Sequence, residues 1–281
     1  MIWKVIRLYE LPEGCVVSQQ LDRALKHRTI LSVTINAHPH KFAFFNRDIG
    51  DYEPALQGAQ ILGCRAVSSR IQLDFTGKRL MFWDGARIYY RPEPMPRDKH
   101  QLFLQLDDGS CLRVGVEMYG GIELWFDGDE DNFYIQRAKT APNPLTNAFT
   151  YAYYDTLYDP ESLSLSLKAF LATQQRIPGL GNGVLQDILF QAKLHPKRKV
   201  LTLREQERHD LYDAIVKTIR EMRDQGGRDT ERDLYGQNGG YVTLATRYQK
   251  QLRCSCCGGE LSKESYMGGA IYYCGACQKI T

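Results

Sequence analysis

The chain reads as an α+β protein in three parts: a β-rich, sandwich-like N-terminal domain, a helical domain and a short cysteine-rich hairpin tail. Three observations carry this reading. Residues 30–140 hold a series of apolar and alternating runs bounded by glycine and aspartate turns. From about residue 145 the apolar spacing changes to that of helices. The last 28 residues hold five of the eight cysteines, four of them as two C-x2-C pairs. Pro142-Asn143-Pro144 marks the switch, so the expected divisions are 1–141, 142–247 and 248–281.

The elements follow in order. Residues 1–13, MIWKVIRLYELPE, begin as a short apolar strand and close on ELPE. A leading helix is expected over 14–27, where Val17, Leu21, Ala24 and Leu25 share a face. Strand-like runs follow at 41–45, 70–75 and 80–83, then a hairpin of 101–106 and 111–116 around Asp107-Asp108-Gly109, and a further strand at 122–126. The acidic patch Asp127, Asp129, Glu130 and Asp131 reads as a solvated loop. A helix is expected over 161–174, with Leu163, Leu167, Phe170 and Leu171 inward. The turn Pro178-Gly179-Leu180-Gly181-Asn182-Gly183 leads into another, with Val184, Ile188 and Leu189 on one face, which His195-Pro196 must end near Leu194. Lys197, Arg198 and Lys199 form a basic exit. Thr202 and Glu205 have the spacing of a capping box for a helix through Leu211, Ile215, Ile219 and Met222, stopping at Gly226-Gly227.

At 281 residues the chain is long enough for two sizeable domains. The net charge is +3; residues 1–140 hold 18 basic and 18 acidic side chains and the rest hold 18 and 15, so the excess lies with the basic exit. No apolar run approaches the roughly 18 residues of a membrane span. The first residues are too short and mixed for a secretory signal. Clustered cysteines favour a metal site in a reducing cytosol over disulfides, and the expectation is a cytoplasmic monomer.

In the tail, Cys254 and Cys257 form one knuckle and Cys274 and Cys277 the other, sixteen residues apart. Two such pairs are the spacing of a four-thiolate zinc site. One structural zinc is expected, because four thiolates leave no open coordination position, and metal binding would supply folding energy to a tail with little core. Cys256 falls outside the equal spacing. In the glycine turn, small residues let the backbone approach another surface, and amides at a helix start suit a phosphate. An ordinary helix-to-helix corner is the alternative.

Residues 179–198, GLGNGVLQDILFQAKLHPKR, resemble the helix-two-turn-helix of the formamidopyrimidine-DNA glycosylase and endonuclease VIII family, and the terminal cysteine finger is similar to that family's zinc finger. The resemblance extends to ELPE, the β-rich region and the glycine pair at 226–227. It implies that Asn182, Gly181 and Gly183, with Lys197 and Arg198 nearby, bind double-stranded DNA, including damaged or abasic DNA. It also implies a terminal proline whose secondary amine attacks the sugar. Here Tyr9 stands in that proline's place, preceded by eight residues. A strand lysine falls near Ser69, a finger arginine falls on Gly269, and the arginine-arginine-phenylalanine wedge is missing around Met118-Tyr119-Gly120-Gly121. Glu10 and Glu13 remain as candidate acid-base residues, or as acids favoured at a helix start.

Three functions are compatible with these residues. The first is a DNA-repair protein that binds damaged, abasic or distorted DNA, nucleoid-associated when bound, without the proline-imine lyase step. The second is an active glycosylase using Glu10 and water, or a relocated amine such as Met1 or Lys4. The third is a zinc-ribbon module that binds RNA or protein.

Overall fold

The computed structural model describes residues 9–93, 99–246 and 253–280, and within these the chain forms two compact units. The first contains Tyr9, residues 13–136 and residues 231–238; the second contains residues 10–12, 137–230 and 239 onwards, including the cysteine tail.

Helix α1 (Leu11–Leu25), whose first two residues belong to the second unit and the rest to the first, begins three residues before the expected start. The Leu11 amide donates to Gly179 O, and Glu13 places its charge in the first turn, where the helix dipole favours it. Strands β1 (Ile30–Ile35) and β2 (Ala43–Phe44), helix α2 (Tyr52–Leu56), and strands β3 (Gly63–Val67), β4 (Arg70–Phe75), β5 (Lys78–Arg91), β6 (Leu102–Leu106) and β7 (Cys111–Phe126) follow. The seven strands form a sheet in the order β1-β6-β7-β5-β4-β3, with β2 added in parallel to β7. All the other pairings are antiparallel.

The β-rich region is thus present, with longer strands than the sequence runs imply. The runs 111–116 and 122–126 belong to one 16-residue strand. The polar and glycine positions between them read as a break because β5 and β7 change register there, between Asp84 and Ala86. Only Ala43 and Phe44 of the run 41–45 pair with the sheet. The core includes Leu21, Leu25, Ile71, Leu73, Leu80, Phe82, Leu104 and Leu124, each almost fully buried. Each such side chain contributes about 2 kcal/mol.

The acidic patch is less solvated than expected. Asp129 pairs with Arg47 and accepts from the Phe126 amide, and Asp131 lies 2.5 Å from Arg79, both ends of that pair largely covered.

The second unit is helical. It contains the second half of helix α3 (Phe133–Thr140), with α4 (Tyr151–Asp155), α5 (Asn182–Gln191) and α6 (Glu205–Asp224), and a hairpin of β8 (Ser262–Tyr266) and β9 (Gly269–Tyr273). The helix expected over 161–174 is broken. Residues 165–168 take backbone bonds from 196–200 instead: Leu167 N to Arg198 O, Lys168 N to Pro196 O and Val200 N to Leu165 O. What remains is a π-helical turn, Ala169–Thr173. The capping box also shifts by two residues. Thr202 Oγ1 donates to Lys199 O in a preceding turn, and Glu207 accepts from the Arg204 amide at 2.9 Å to open α6. The helix ends at Gly226 and Gly227, whose φ of 78° and 100° are left-handed.

Arg198 does not lie on an open basic face. It is buried and reaches both oxygens of Glu207, at 2.7 and 2.8 Å. The Arg198 side chain is the main cause that lowers the Glu207 pKa to about 2, against the upward push of burial. A carboxylate whose pKa falls on folding stabilises the fold above its ordinary value, and the contribution fades as pH drops through the folded value. Glu207→Gln should therefore lower stability by about 2 kcal/mol at neutral pH. In denaturant titrations the deficit relative to the parent should shrink between pH 4.5 and about 2. A deficit independent of pH would contradict this assignment.

Candidate functional site

The glycine-rich turn and the start of α5 form the centre of the second unit. Leu180, Val184, Leu185, Ile188 and Leu189 are buried in its core, which fixes the direction of the turn. The turn's open amides already have an internal acceptor. Glu10 Oε2 accepts from Gly181 N at 3.1 Å and Val184 N at 2.8 Å, and Oε1 accepts from Gly183 N at 2.8 Å. Arg228 Nη1 lies 3.3 Å from the same Oε1, its side chain 4% exposed.

Four donors occupy the roughly four lone-pair directions of a carboxylate. The close approach inferred from the glycines is therefore to this ion pair. A Cβ on Gly181 would stand 2.5 Å from Glu10 Cδ, and one on Gly183 would overlap Arg228. Glu10 fills a helix N-terminus with a fixed charge, an arrangement unlike that of a base poised to take a proton from water. Glu13 is buried in the first turn of α1.

Asn182 faces the hairpin. Its Nδ2 donates to Ala270 O at 2.9 Å, and its Oδ1 is buried without a hydrogen-bond partner among the described residues. Gln186, one turn on, donates to Ala270 O and accepts from the Tyr272 amide. These two amide side chains join α5 to β9. Among the described residues, the Asn182 backbone amide finds no acceptor, whereas those of Gly181, Gly183 and Val184 bond to Glu10. Lys197 pairs with Glu264 of β8, and its ammonium lies 5.4 Å from the Tyr266 ring.

Lys168 was not singled out by the sequence reading. It is buried in the π-helical segment's approach, and its Nζ donates to Tyr266 O at 2.5 Å. A Cβ on Gly269 would stand 3.4 Å from that Nζ and 3.6 Å from Asn182 Nδ2. A cation thus lies beside Gly269 after all, supplied from another element. Burial lowers its pKa from the ordinary lysine value. The one sequence signal was its place beside Leu167 on an apolar helix face.

In the tail, one sulfur each from Cys254, Cys257, Cys274 and Cys277 lies within 4.8 Å of the others. The Cys254–Cys277 and Cys257–Cys274 sulfurs are 3.8 and 3.5 Å apart. A tetrahedron with metal–sulfur bonds of about 2.3 Å has edges of roughly 3.8 Å, so the donor set fits a four-thiolate metal centre. Cys256 is exposed and outside the group.

Tyr9 is 6% exposed within the first unit's core, under the Arg87 guanidinium at 4.6 Å, and Arg87 in turn pairs with Glu231 at 2.7 Å. Burial raises the Tyr9 pKa, and Arg87 opposes the shift. Ser69 lies in the β3–β4 turn beneath α1, where a Cβ on Gly14 would stand 2.7 Å from its carbonyl oxygen. Met1 and Lys4 lie outside the described residues.

These features define a helix-two-turn-helix protein with a C-terminal four-cysteine hairpin. The family model for the formamidopyrimidine-DNA glycosylase H2TH domain matches residues 140–232. A formamidopyrimidine-DNA glycosylase of Carboxydothermus hydrogenoformans is 27% identical over 96% of this chain and 99% of its own, and one of Bacillus cereus is 28% identical over 96% and 98%. Among solved structures, the MutM (Fpg) protein of Thermus thermophilus matches with a TM-score of 0.79 and 23% identity, over 96% of this chain and 98% of that one. The Lactococcus lactis Fpg protein, solved in complex with DNA containing an abasic site, matches with 0.82 and 22%, over 96% and 99%. The chain is thus similar to formamidopyrimidine-DNA glycosylases over nearly its whole length, and its residues 140–232 match their H2TH domain. Among the described residues, no helix is long and apolar enough to cross a membrane.

Removing the Glu10 carboxylate should leave three amides and the buried Arg228 charge unanswered. Glu10→Ala should lower stability by about 3 kcal/mol and Glu10→Gln by less, since the amide oxygen still accepts. Thermal melts of both variants measure this, and an unchanged midpoint in Glu10→Ala would refute the anchoring role.

Proposed function

We propose that this protein binds double-stranded DNA at damaged, abasic or distorted positions, as a repair factor without the proline-imine lyase step. The observation that carries this reading is the pairing of a retained helix-two-turn-helix surface with Tyr9 in the core, where the amine would be needed. An amide nitrogen inside a chain has no nucleophilic lone pair, so the covalent route through the sugar has no starting group at this position.

The phosphate-binding surface we assign is the Asn182 amide, with the cations of Lys168 and Lys197 beside β8 and β9. Gly181 and Gly183 contribute by admitting Glu10 and so fixing the turn. Arg198 contributes indirectly, through its bond to Glu207. Such contacts hold a backbone and carry little sequence information. Binding should therefore be salt-sensitive and nearly independent of sequence. DNA is the occupant seen in a similarly folded relative, the Lactococcus lactis complex.

The second reading is an active glycosylase using Glu10 and water, or a relocated amine. Retention of Glu10 and Glu13 favours it, but the four donors around Glu10 weigh against it. The third reading, an RNA- or protein-binding zinc ribbon, draws no support from a likeness that spans nearly the whole chain.

We further propose one zinc ion on Cys254, Cys257, Cys274 and Cys277, in a structural role. It would hold the two knuckles so that β9 stays against Asn182 and Gln186. Metal analysis of native protein should find about one zinc per chain, and Cys274→Ala with Cys277→Ala should abolish retention. Absence of zinc in native protein, or full retention in the double variant, would overturn this assignment.

On duplex DNA carrying an abasic site, Asn182→Ala, which keeps the backbone amide but frees β9 and the cations beside it, combined with Lys197→Ala should weaken binding about tenfold or more at physiological salt. Borohydride treatment of the same complex should yield no covalent adduct. Unchanged affinity would remove the assigned surface, and a strong adduct with strand cleavage would restore the lyase.

A further inference from the structure

The first unit carries an aromatic patch that neither its core nor its turns explain. Phe42 and Phe44 are each 46% exposed and Tyr119 is 37% exposed. Phe44 stacks on Trp83 with ring centroids 5.9 Å apart and planes at 11°.

The sheet is built to present this pair. β2 runs beside Gly120 and Gly121 of β7, and a Cβ on Gly121 would overlap the Trp83 indole. A Cβ on Gly120 would stand 2.5 Å from Ala86 N, at the register break of β5 and β7. The two glycines thus make room for an indole laid flat, and Phe44 covers one face of it. Phe44 itself remains about half exposed.

Cations surround the rings. The Lys41 ammonium is 5.3 Å from the Phe42 centroid and the Arg70 guanidinium 6.0 Å from that of Trp83, with His40 edge-on to Phe42. Asp84, on the same break, is the acid that faces Arg70 and Tyr119; burial raises its pKa, and Arg70 opposes that shift. Arg70 Nε and Trp83 Nε1 are buried without hydrogen-bond partners among the described residues.

Open aromatic faces rimmed by lysine and arginine match the chemistry of unstacked bases, whose π faces stack on rings while the adjoining phosphates meet the cations. A paired base in a duplex offers no such face. We propose that Phe42 and Phe44, backed by Trp83, form a stacking platform for unpaired nucleobases of DNA. This rests on the duplex-binding reading above, and it would give this protein a preference for distorted over regular duplex.

The test measures affinity of the full chain for a fully paired duplex and for the same duplex with a short central bubble. The parent should prefer the bubble. Phe42→Ala with Phe44→Ala should weaken bubble binding about tenfold while paired-duplex affinity stays within about twofold. Phe44→Leu keeps apolar contact with Trp83 but has no π face, so it should lose the preference; Phe44→Tyr should retain it. A 2-aminopurine placed in the bubble should be quenched on binding the parent and remain bright with the double variant. Equal loss on both duplexes, or no loss on either, would overturn the platform. Concentration-dependent dimerisation abolished by Phe44→Ala would assign the patch to a second copy and overturn it as well. Failure of the parent to bind paired duplex would sink the duplex-binding reading itself, whereas salt-sensitive duplex binding without a bubble preference would sink the platform alone.

Discussion

One carboxylate organises the second unit. Glu10 sits at the N-terminus of α5, accepting from the Gly181, Gly183 and Val184 amides and balanced by Arg228. A helix start leaves backbone donors unsatisfied and carries partial positive charge. An acid from 171 residues earlier in the chain answers both demands. Neither turn glycine can carry a side chain without meeting Glu10 or Arg228. With the turn fixed, Asn182 and Gln186 point at Ala270, and the finger hairpin is placed.

This arrangement changes how the turn is understood. Its amides alone suit an external phosphate, but three of them are already bonded to Glu10. The proposed phosphate contacts therefore fall on the Asn182 amide and on Lys168 and Lys197, at the junction of α5 with the hairpin. Gly269 is part of the same arrangement: lacking a side chain, it leaves room beside it for the Lys168 ammonium. Position by position, this looks like the loss of a cation. In three dimensions a cation is present, donated by a different element and held by the Tyr266 carbonyl.

Tyr9 illustrates a second kind of change. In the sequence, Tyr9 offers a backbone amide and no free amine. The structure adds that the ring is buried under Arg87, itself tied to Glu231, so the tyrosine is part of a packed and charge-balanced core. In the same unit Trp83 lies over Gly121 and exposes Phe44 instead of filling the interior.

The sequence alone determined what depends on local spacing. The cysteine pairs specified their knuckles, because a C-x2-C turn places two sulfurs together whatever surrounds it. The strand at 70–75, the 101–116 hairpin and the stop of α6 at Gly226 were legible from alternation and from glycine's left-handed φ. Tertiary structure decided whatever depends on a distant partner. Backbone pairing of 165–168 with 196–200 broke an expected helix, Glu207 turned Arg198 from a surface cation into a buried anchor, and Glu10 occupied the amides of the glycine turn. Periodicity reports which face a residue takes, but a charge or an amide is neutralised by whatever group the fold brings within about 3 Å, and that group is set by contacts across the chain.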